Sequence, residues 1–582
     1  MPDERTIETP APSDLPTFTL LVNEEALPRD YHLLGVVIVK MINRIAWAKV
    51  ILRDGDPAAQ DFPAGNSDLF VPGNTVRIDG GYHSQESPLF HGVIVRHGIK
   101  TRQNNPSLLT IECRHAAFKM TLSRKSAYFY DSTDSDVFTQ LIEAHEIDHQ
   151  VENTATQHPA LVQYACTDWD FLVNRAETNG QVVLTNDETV CVRPPDFSAE
   201  PALSLQYGAT LLELEAQMDA RDQLSALTCG SWNPAEQSWQ TAEAQEPPAI
   251  EQGNVDAAAL AQVNGEQVPV NAHGGHVSAD ELQVWADAGL LKARMARIQG
   301  RAKCIGFSGI QAGDVLGLDG MGDRFNGNAF VTGVRHEFGG GTWTTEVQFG
   351  GNPDWHAATH DVAQPAASAL IPPVGGLQIG IVTALEGDPA GEERIQVRMP
   401  LIDAGEEGIW ARIACLDAGD NRGSVFRPEI DDEVVLGFIN DDPRDAVVLG
   451  MLHSSAKPAP IAASDDNHEK GFVTRSGLSV VFNDDLVSLT IATPNGNTVV
   501  LSDDEGGISL SDESGNTLTM TSDGITLESA ADINIKATGD LNMEGTNTNA
   551  KASAQFKAEG SAGVEMSSSA TAILKGALVQ IN

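Results

Sequence analysis

The residues with the clearest potential for chemistry lie in one short segment, His145-Glu146-Ile147-Asp148-His149. It fits the pattern His-Glu-x-x-His, in which two histidines on one helix face bind zinc and the glutamate acts as a general base. The pattern makes His145 and His149 candidate metal ligands, with Asp168 or Glu177 as a third. A secreted zinc metallopeptidase is therefore one function to weigh.

A helix predicted over Asp136–Ala144, with Asp134 or Ser135 as its N-cap, must position both histidines. His145 continues the apolar face of this helix, which consists of Val137, Phe138, Leu141 and Ile142. We expect the helix to end near residue 147, which moves His149 off the shared face. The pattern favours a packed histidine over a zinc ligand, so we expect no metal and no other cofactor.

Other catalytic patterns are missing from the sequence. It contains no Gly-x-Ser-x-Gly elbow and no phosphate-binding loop, and its six cysteines form no Cys-x-x-Cys pair. The acidic pairs at 484–485 and 503–504 fit solvated turns. A net charge of −44 disfavours a nucleic-acid partner. The N-terminus lacks an apolar signal core, so we expect assembly in the cytoplasm without a signal peptide.

The C-terminal stretch contains a short repeat of apolar-x-apolar triplets, spaced seven to ten residues apart and separated by Gly, Asn, Asp and Ser. The triplets begin at Val499, Ile508, Leu518, Ile525, Ile533 and Leu541. Each triplet predicts a very short strand and each polar gap a turn, which together indicate a β-helix. The alternatives are an acidic disordered tail and a calcium-binding solenoid, although the Gly-Gly-x-Gly-x-Asp pattern of the latter is absent.

Such strands bury too few apolar side chains to offset the cost of ordering the backbone, roughly 1–2 kcal/mol per residue. Three chains wound together would bury every triplet in a shared core and pair the strand edges. We therefore predict a homotrimeric, intertwined β-helix needle over residues 472–582.

An internal sequence repeat, or echo, lies before the predicted needle. Gly73–Gly80 and Gly313–Gly320 have the same pattern at an offset of 240 residues. Val95-Arg96-His97 and Val334-Arg335-His336 follow at nearly the same offset. We interpret the echo as a duplicated β-domain, which would let a trimer present six similar domains in a ring.

The fold class predicted is mainly β: two tandem tube-like β-domains with a few helices, a small OB-fold barrel and the needle. A second helical segment is expected around residues 168–173, and a capping box at Ser278 opens a third helix. The predicted boundaries are a flexible arm (1–16), hub β-domain 1 with a helical insertion (17–232), an exposed linker (233–277), hub β-domain 2 (278–355), a linker (356–373), the barrel (374–452), a linker (453–471) and the needle (472–582).

Several motifs resemble those of VgrG spike proteins, which sit at the tip of contractile injection machines. The barrel motifs are Ile409–Ala414, Arg427–Val434 and Asp441–Gly450. The hub motif is Tyr164-x-x-x-Asp168-Trp-Asp-Phe-Leu172. Gly322–Gly327 and Asn352–Trp355 resemble Vgr-type tip proteins of extracellular, phage-tail-like particles. The resemblance covers nearly the whole chain in the order hub, barrel, needle.

The resemblance implies a non-enzymatic, trimeric central spike that joins a hexameric inner tube to the tip and punctures the target envelope when a sheath contracts. It also implies baseplate partners, a PAAR-like tip protein, effector cargo and delivery outside the cell within a particle. We expect the tip protein to dock around Val579 and Ile581. In the family, the segment at 145–149 is a hub helix without a known metal. Type VI secretion, a contractile phage tail and a sugar-binding tail-spike adhesin remain alternatives.

Overall fold

The computed structural model describes residues 14–28, 30–103, 105–265 and 268–581. Most of the arm expected over residues 1–16 lies outside the described residues. The chain divides into two compact units. The first extends to Val374 and includes Asn440–Pro443, and the second comprises Gly375–Ile439 and the chain from Arg444 onward. No helix in the described part of the chain is long and apolar enough to cross a bilayer.

The first unit is mainly β. Its strands are β1 (Thr17–Val22), β2 (Glu25–Ala26), β3 (His32–Met41), β4 (Trp47–Arg53), β5 (Thr75–Tyr82), β6 (Gln85–Arg102), β7 (Asn105–Arg114), β8 (Arg124–Thr133), β9 (Asp148–Val151), β10 (Gln157–Thr167), β11 (Val182–Asn186), β12 (Thr189–Arg193), β13 (Leu203–Gln206), β14 (Leu211–Met218), β15 (Thr228–Asn233), β16 (Ser238–Glu243), β17 (Val270–His273), β18 (Ile298–Ile305), β19 (Val315–Asp319), β20 (Gly327–Gly339) and β21 (Thr342–Phe349).

The α-helices are α1 (Asp134–Glu143), α2 (Asp168–Thr178), α3 (Ala257–Ala261), α4 (Ala279–Met295) and α5 (His356–Thr359). Short 3-10 turns occur at Asp68–Phe70, Ala116–Thr121, Gln262–Asn264, Ala366–Ala369 and Ile439–Asp441. The predicted helices are present, but the predicted cap of α1 is wrong. Thr133 is the N-cap, because its hydroxyl accepts from the Asp136 N–H while the Asp136 carboxylate accepts from the Thr133 N–H.

The main sheet contains the duplicated domain. Its order is β14-β18-β21-β20-β3-β4-β7-β6-β5-β1-β2, and β19 pairs with β20 and β13. The order β3-β4-β7-β6-β5 is thus repeated as β14-β18-β21-β20-β19. The strand registers of the two copies agree as well, because an Arg–Glu–Lys row crosses three neighbouring strands in each. The row is Arg96, Glu112 and Lys49 in the first copy, and Arg335, Glu346 and Lys303 in the second. The echo in the sequence therefore reflects two tandem β-domains, as predicted.

The two copies join edge to edge within the chain. The C-terminal half of β20 pairs antiparallel with β3, from Gly333 opposite Met41 to Gly339 opposite Gly35. Each copy keeps a core of its own, one including Phe70, Ile78 and Phe90 and the other Val331 and Phe349.

An insertion between β7 and β14 forms a separate α/β layer. Helices α1 and α2 pack with β8, β10 and the small sheet β11-β12-β9 around a core that includes Phe138, Leu172 and Val192. This layer is the helical insertion expected within hub β-domain 1.

The expected linkers at 233–277 and 356–373 contain more structure than the composition indicates. β15, β16 and β17 form a sheet that packs on α4 around Cys229, Leu282 and Ala286. His356, which begins α5, is buried and its Nε2 lies 2.9 Å from an Asp170 carboxylate oxygen. The short elements in these segments are held by distant parts of the chain: β16 packs against α4, β17 pairs with β15, and His356 of α5 pairs with Asp170 of α2.

The second unit begins with a closed barrel in the order β22-β23-β24-β28-β27. Its strands, with the small hairpin β25–β26 and the C-terminal sheet, are β22 (Gln378–Ala384), β23 (Ile395–Arg398), β24 (Ile409–Ile413), β25 (Ala418–Gly419), β26 (Arg422–Gly423), β27 (Glu433–Phe438), β28 (Ala446–Met451), β29 (Glu469–Val473), β30 (Ser479–Asn483), β31 (Ser488–Ala492), β32 (Thr498–Ser502), β33 (Gly507–Ser511), β34 (Thr517–Thr521) and β35 (Gly524–Glu528). All five predicted barrel strands are present.

β29 to β35 form one antiparallel sheet in which each strand pairs with the next along the chain. The first four predicted triplets lie on β32, β33, β34 and β35, as expected. The triplets at Ile533 and Leu541 lie outside any strand, and no strand is present in the described residues after Glu528. These last triplets have no neighbouring strand in a single chain with which to form a ladder.

Candidate functional site

The geometry of the His145–His149 segment differs from a zinc-protease helix. α1 already ends at Glu143, and Glu146 adopts a left-handed backbone with φ of 57°. His149 then lies on β9 rather than on the helix. The two histidines therefore do not share a helix face. In the described residues, no group of three or more His, Cys, Asp or Glu side chains is placed to hold a metal ion.

His145 is engaged in a buried charge network centred on Asp168. The Asp168 carboxylate accepts from Lys125 Nζ at 2.6 Å and from Gln163 Nε2 at 2.9 Å, and lies 2.8 Å from His145 Nε2. Burial by itself raises the pKa of Asp168, but these hydrogen bonds outweigh it and hold that pKa below its ordinary value. The network ties α2 to β8, β10 and the end of α1, which is a structural role.

Glu177, the other candidate third ligand, belongs to a different network. Its carboxylate accepts from Lys292 at 3.0 Å, from Asn43 at 3.1 Å and from the His356 N–H at 2.7 Å. The four candidate ligands are therefore not gathered at one site. His145 contacts Asp168, His149 lies 4.0 Å from Glu143, and Glu177 links α2 to α4 and α5.

A second buried network was missed in the sequence. Arg175 makes a two-pronged ion pair with Asp134, at 2.7 and 2.8 Å, and also reaches Glu281 at 2.9 Å. Burial raises the pKa of Asp134, but hydrogen bonds from His158 and Arg175 lower it well below its usual range. The sequence feature that could have revealed this network is the position of Arg175 beside the apolar residues Leu172 and Ala176 of α2, because a charged side chain among buried residues needs a charged partner.

The strongest functional feature is the C-terminal sheet, whose apolar side chains lie on one face in two columns. The first column is Phe472, Val480, Ile491, Val499, Leu510, Leu518 and Leu527, and the second is Phe482, Leu489, Leu501, Ile508, Met520 and Ile525. Members of a column are directly opposite on neighbouring strands, so they share a face. The central row of the other face consists of smaller residues: Val481, Thr490, Val500, Ser509, Thr519 and Thr526.

This apolar face lacks a cover in the single chain. Phe472 is 51 % exposed and Ile525 is 73 % exposed, and the columns between them are partly exposed, with Ile508 at 38 %. Folded monomers rarely expose apolar surface that extends across so many strands, and such surfaces mark interfaces. Beyond the sheet, the predicted docking residues Val579 and Ile581 are 48 % and 89 % exposed.

The barrel and the C-terminal sheet match known families. The type VI secretion system/phage-baseplate injector OB domain matches residues 378–453, and the phage baseplate V C-terminal trimerisation domain matches residues 488–582. Together they define the chain as a VgrG-like spike protein of injection systems, which confirms the resemblance seen in the sequence. These families are structural spike and baseplate components.

The chain belongs to the Alg8 N-terminal domain family, whose model matches residues 12–339, more than half of its 582 residues. No curated protein matches the chain.

Solved structures that resemble the chain share little sequence with it. The 43 kDa tail protein of prophage MuSo2 from Shewanella oneidensis is 9 % identical, with a TM-score of 0.43, covering 58 % of this chain and 98 % of that one. The E. coli c3393 protein, described as a type VI secretion component similar to phage T4 gp27 and gp5, is 13 % identical, with a TM-score of 0.38 and coverages of 74 % and 99 %. A chain of the lidless Francisella PdpA-VgrG complex is 9 % identical, with a TM-score of 0.39 and coverages of 88 % and 98 %. All three TM-scores lie below 0.5, so the identification depends on the family models alone.

Proposed function

We propose that this protein is the homotrimeric central spike of a contractile, phage-tail-like injection particle of the extracellular type. The observation that carries the proposal is the uncovered apolar face of the β29–β35 sheet. Fully burying a large aliphatic or aromatic side chain contributes about 1.5–3 kcal/mol, so three copies that bury this face together gain a large stabilisation. A stiff trimeric needle can transmit force without any chemistry.

The duplicated β-domain supports a hub beneath a hexameric inner tube. Three chains with two similar domains each provide six similar positions, which matches six tube subunits with three spike chains. In this proposal the hub contacts the tube and the baseplate proteins, and effector cargo travels with the particle. The needle end around Val579 and Ile581 receives a PAAR-like tip protein. The spike meets the target membrane only when sheath contraction drives it through.

The type of machine is proposed from the motifs at Gly322–Gly327 and Asn352–Trp355, which resemble extracellular particles. The OB family is described for both type VI secretion and phage baseplates, so those two machines are the alternatives. Purification of particles from culture medium distinguishes the cases. An extracellular particle sediments freely and lacks a phage head, whereas a type VI spike stays with the membrane-anchored apparatus of its cell.

The mechanical role is tested in the producing cell by deleting the gene for this chain and examining sheath and tube particles by electron microscopy. Loss of assembled particles, restored by the wild-type chain and by His145→Ala, is the expected result. Normal particles without this chain would contradict a spike role. Bound zinc and peptide cleavage that both disappear in His145→Ala would favour the metallopeptidase instead.

A further inference from the structure

The small sheet β16-β15-β17 has one covered and one uncovered face. Cys229 and Ser231 of β15 are buried on the side that packs on α4. Because side chains alternate along a strand, Gly230 and Trp232 lie on the other side. Trp239 of β16 is directly opposite Trp232 and therefore shares this outer face. The two tryptophans are 40 % and 46 % exposed, so the outer face presents two large aromatic side chains to solvent.

Gly230 lets the indole of Trp239 lie across β15. A Cβ added at Gly230 would lie 2.5 Å from Nε1 and 2.6 Å from Cζ2 of Trp239, so the ring occupies the space that a side chain would fill. Thr241 and Ala272, which are opposite Gly230 on the neighbouring strands, are exposed as well. The indole thus packs against the strand on one side and is open to solvent on the other.

Two acidic side chains accompany the tryptophans. Glu243 lies on β16 four residues after Trp239, which puts both on the outer face. Glu236 lies in the turn that joins β15 to β16. Both glutamates are exposed, and neither forms an ion pair with another residue in the described ranges. The outer face therefore combines aromatic rings with unpaired negative charge.

The surrounding sequence supplies no cation to balance this charge. Between Arg221 and Lys292 the chain has ten Asp and Glu residues and neither Lys nor Arg. Glu246 and Glu281 of this segment are paired with arginines that come from outside it. Glu236 and Glu243 remain unpaired beside the tryptophans, so a binding partner would have to bring its own positive charge.

Arginine is the side chain that fits such a surface on both counts. Tryptophan is the aromatic residue that attracts cations most strongly through its ring face. The guanidinium group stacks on aromatic rings, is more weakly hydrated than an ammonium group, and donates two parallel hydrogen bonds to a carboxylate. Aromatic residues are also enriched among those that dominate binding at protein interfaces.

We infer that Trp232, Trp239, Glu236 and Glu243 form a docking surface, the tryptophan platform, for an arginine-bearing segment of a partner protein. Guanidinium groups of the partner stack on the exposed indole faces and donate to the two carboxylates. A neutral ligand such as a glycan also stacks on aromatic rings, but the negative charge of this segment favours a cation. The inference uses neither the trimer nor the needle, so it stands or falls separately from the proposed spike function.

The test measures binding of a short fluorescein-labelled peptide, in which arginine alternates with serine, to the full-length protein by fluorescence anisotropy at fixed salt. A second peptide carries citrulline, an uncharged analogue, in place of each arginine. Trp239→Ala removes one ring, and Glu236→Gln with Glu243→Gln removes the two charges. The matched controls are Tyr128→Ala, at another exposed aromatic residue, and Asp503→Asn with Asp504→Asn, at an exposed acidic pair in the C-terminal sheet. Circular dichroism checks the folding of every variant.

We expect the arginine peptide to bind about tenfold more tightly than the citrulline peptide, and the Trp239 and double glutamate variants each to weaken it by about fivefold or more. The two controls should change its affinity by less than about twofold. If Trp239→Ala fails to fold, the glutamate variants decide the result, since their side chains are exposed. Equal weakening by the two acidic double variants would reduce the binding to general attraction by a chain of charge −44 and overturn the platform. Equal binding of the citrulline peptide would overturn the cation and point to an uncharged ligand such as a glycan, and no binding of the arginine peptide would overturn the inference as a whole.

Discussion

Asp168 is a buried acid whose partners come from three different parts of the first unit: Lys125 on β8, Gln163 on β10 and His145 after α1. Removal of the carboxylate takes the partner from His145 in a largely buried position and leaves Gln163 Nε2 with only its hydrogen bond to the Cys166 carbonyl oxygen. A buried group that loses its partner costs more than the net energy of the original bond. The role of His145 is thus to help hold α2 in place.

Asp168→Ala is expected to lower the free energy of unfolding of the first unit by about 2–3 kcal/mol. Urea unfolding followed by tryptophan fluorescence measures this, since Trp169 is adjacent and buried. His149→Ala is the matched control, because its contact with Glu143 is 4.0 Å long and partly exposed. Its expected effect is below about 0.5 kcal/mol. Equal effects of the two substitutions would contradict the network.

We predict that the protein loses stability in acid because His336 is buried in its neutral form. Burial and the positive charge of Lys40 lower the pKa of His336 to about 3, whereas a histidine in the unfolded chain has a pKa of about 6.5. The folded chain therefore holds His336 neutral. The stability associated with neutral His336 is therefore complete above the pKa of the unfolded state. It is lost as the pH falls from that value toward the pKa of the folded state. The expected loss from pH 7 to pH 5 is about 2 kcal/mol.

The test of His336 compares the pH dependence of the unfolding midpoint in wild type and in His336→Gln. We expect the glutamine variant to be less stable at pH 7 but to show a shallower decline between pH 6.5 and 5. His32→Gln, at an exposed position at the start of β3, is the control and should keep the wild-type slope. An unchanged slope in His336→Gln would rule out His336 as the titrating group.

At the scale of secondary-structure elements, the β29–β35 sheet has two chemically different faces. Ile508 and Ser509 are neighbours on β33, yet Ile508 lies in the apolar columns and Ser509 lies on the opposite face, in a row of smaller residues between Val500 and Thr519. If three copies meet through the apolar columns, a charge in place of Ile508 is buried without a partner, whereas a charge in place of Ser509 stays in water.

Ile508→Asp is accordingly expected to dissociate the needle into monomers, and Ser509→Asp to remain trimeric. Light scattering coupled to size-exclusion chromatography gives the mass of each variant directly. The pair is closely matched, because both substitutions place the same residue on the same strand. Dissociation by Ser509→Asp alone would mean that the copies meet through the polar face.

Elements whose partners are close in the chain could be predicted from the sequence. The triplets at Val499 to Ile525 have neighbours a few residues away, so alternation and turn residues were sufficient. The five barrel strands were also predicted from alternation, although β22 pairs with β27 and β24 with β28, which lie farther along the chain. The triplets at Ile533 and Leu541 would need strands from other copies, which a single chain does not provide. β16 and β17 were missed because distant elements hold them: β16 packs against α4, and β17 pairs with β15. The sequence predicted that the helix before His145 would end near residue 147 and so move His149 off its face; in the structure α1 ends at Glu143 and His149 lies on β9.

At the scale of the whole molecule, two different interfaces would hold three copies together. The needle offers a long apolar face for burial between copies, whereas the two hub β-domains already bury their apolar residues within the chain, which leaves exposed polar groups for contacts between copies. Exposed ion pairs contribute little, typically 0–1 kcal/mol each. The needle should therefore dominate the stability of the trimer.

Removal of residues 469–582 is expected to leave a folded hub and barrel that trimerise only weakly, because the dominant interface is gone. Sedimentation velocity across a range of protein concentrations measures this: the full chain should remain a trimer at nanomolar concentration, while the truncated chain should shift from monomer to trimer in the micromolar range or above. A truncated chain that trimerises as tightly as the full protein would move the source of trimer stability from the needle to the hub, and the apolar columns of the C-terminal sheet would then require another partner.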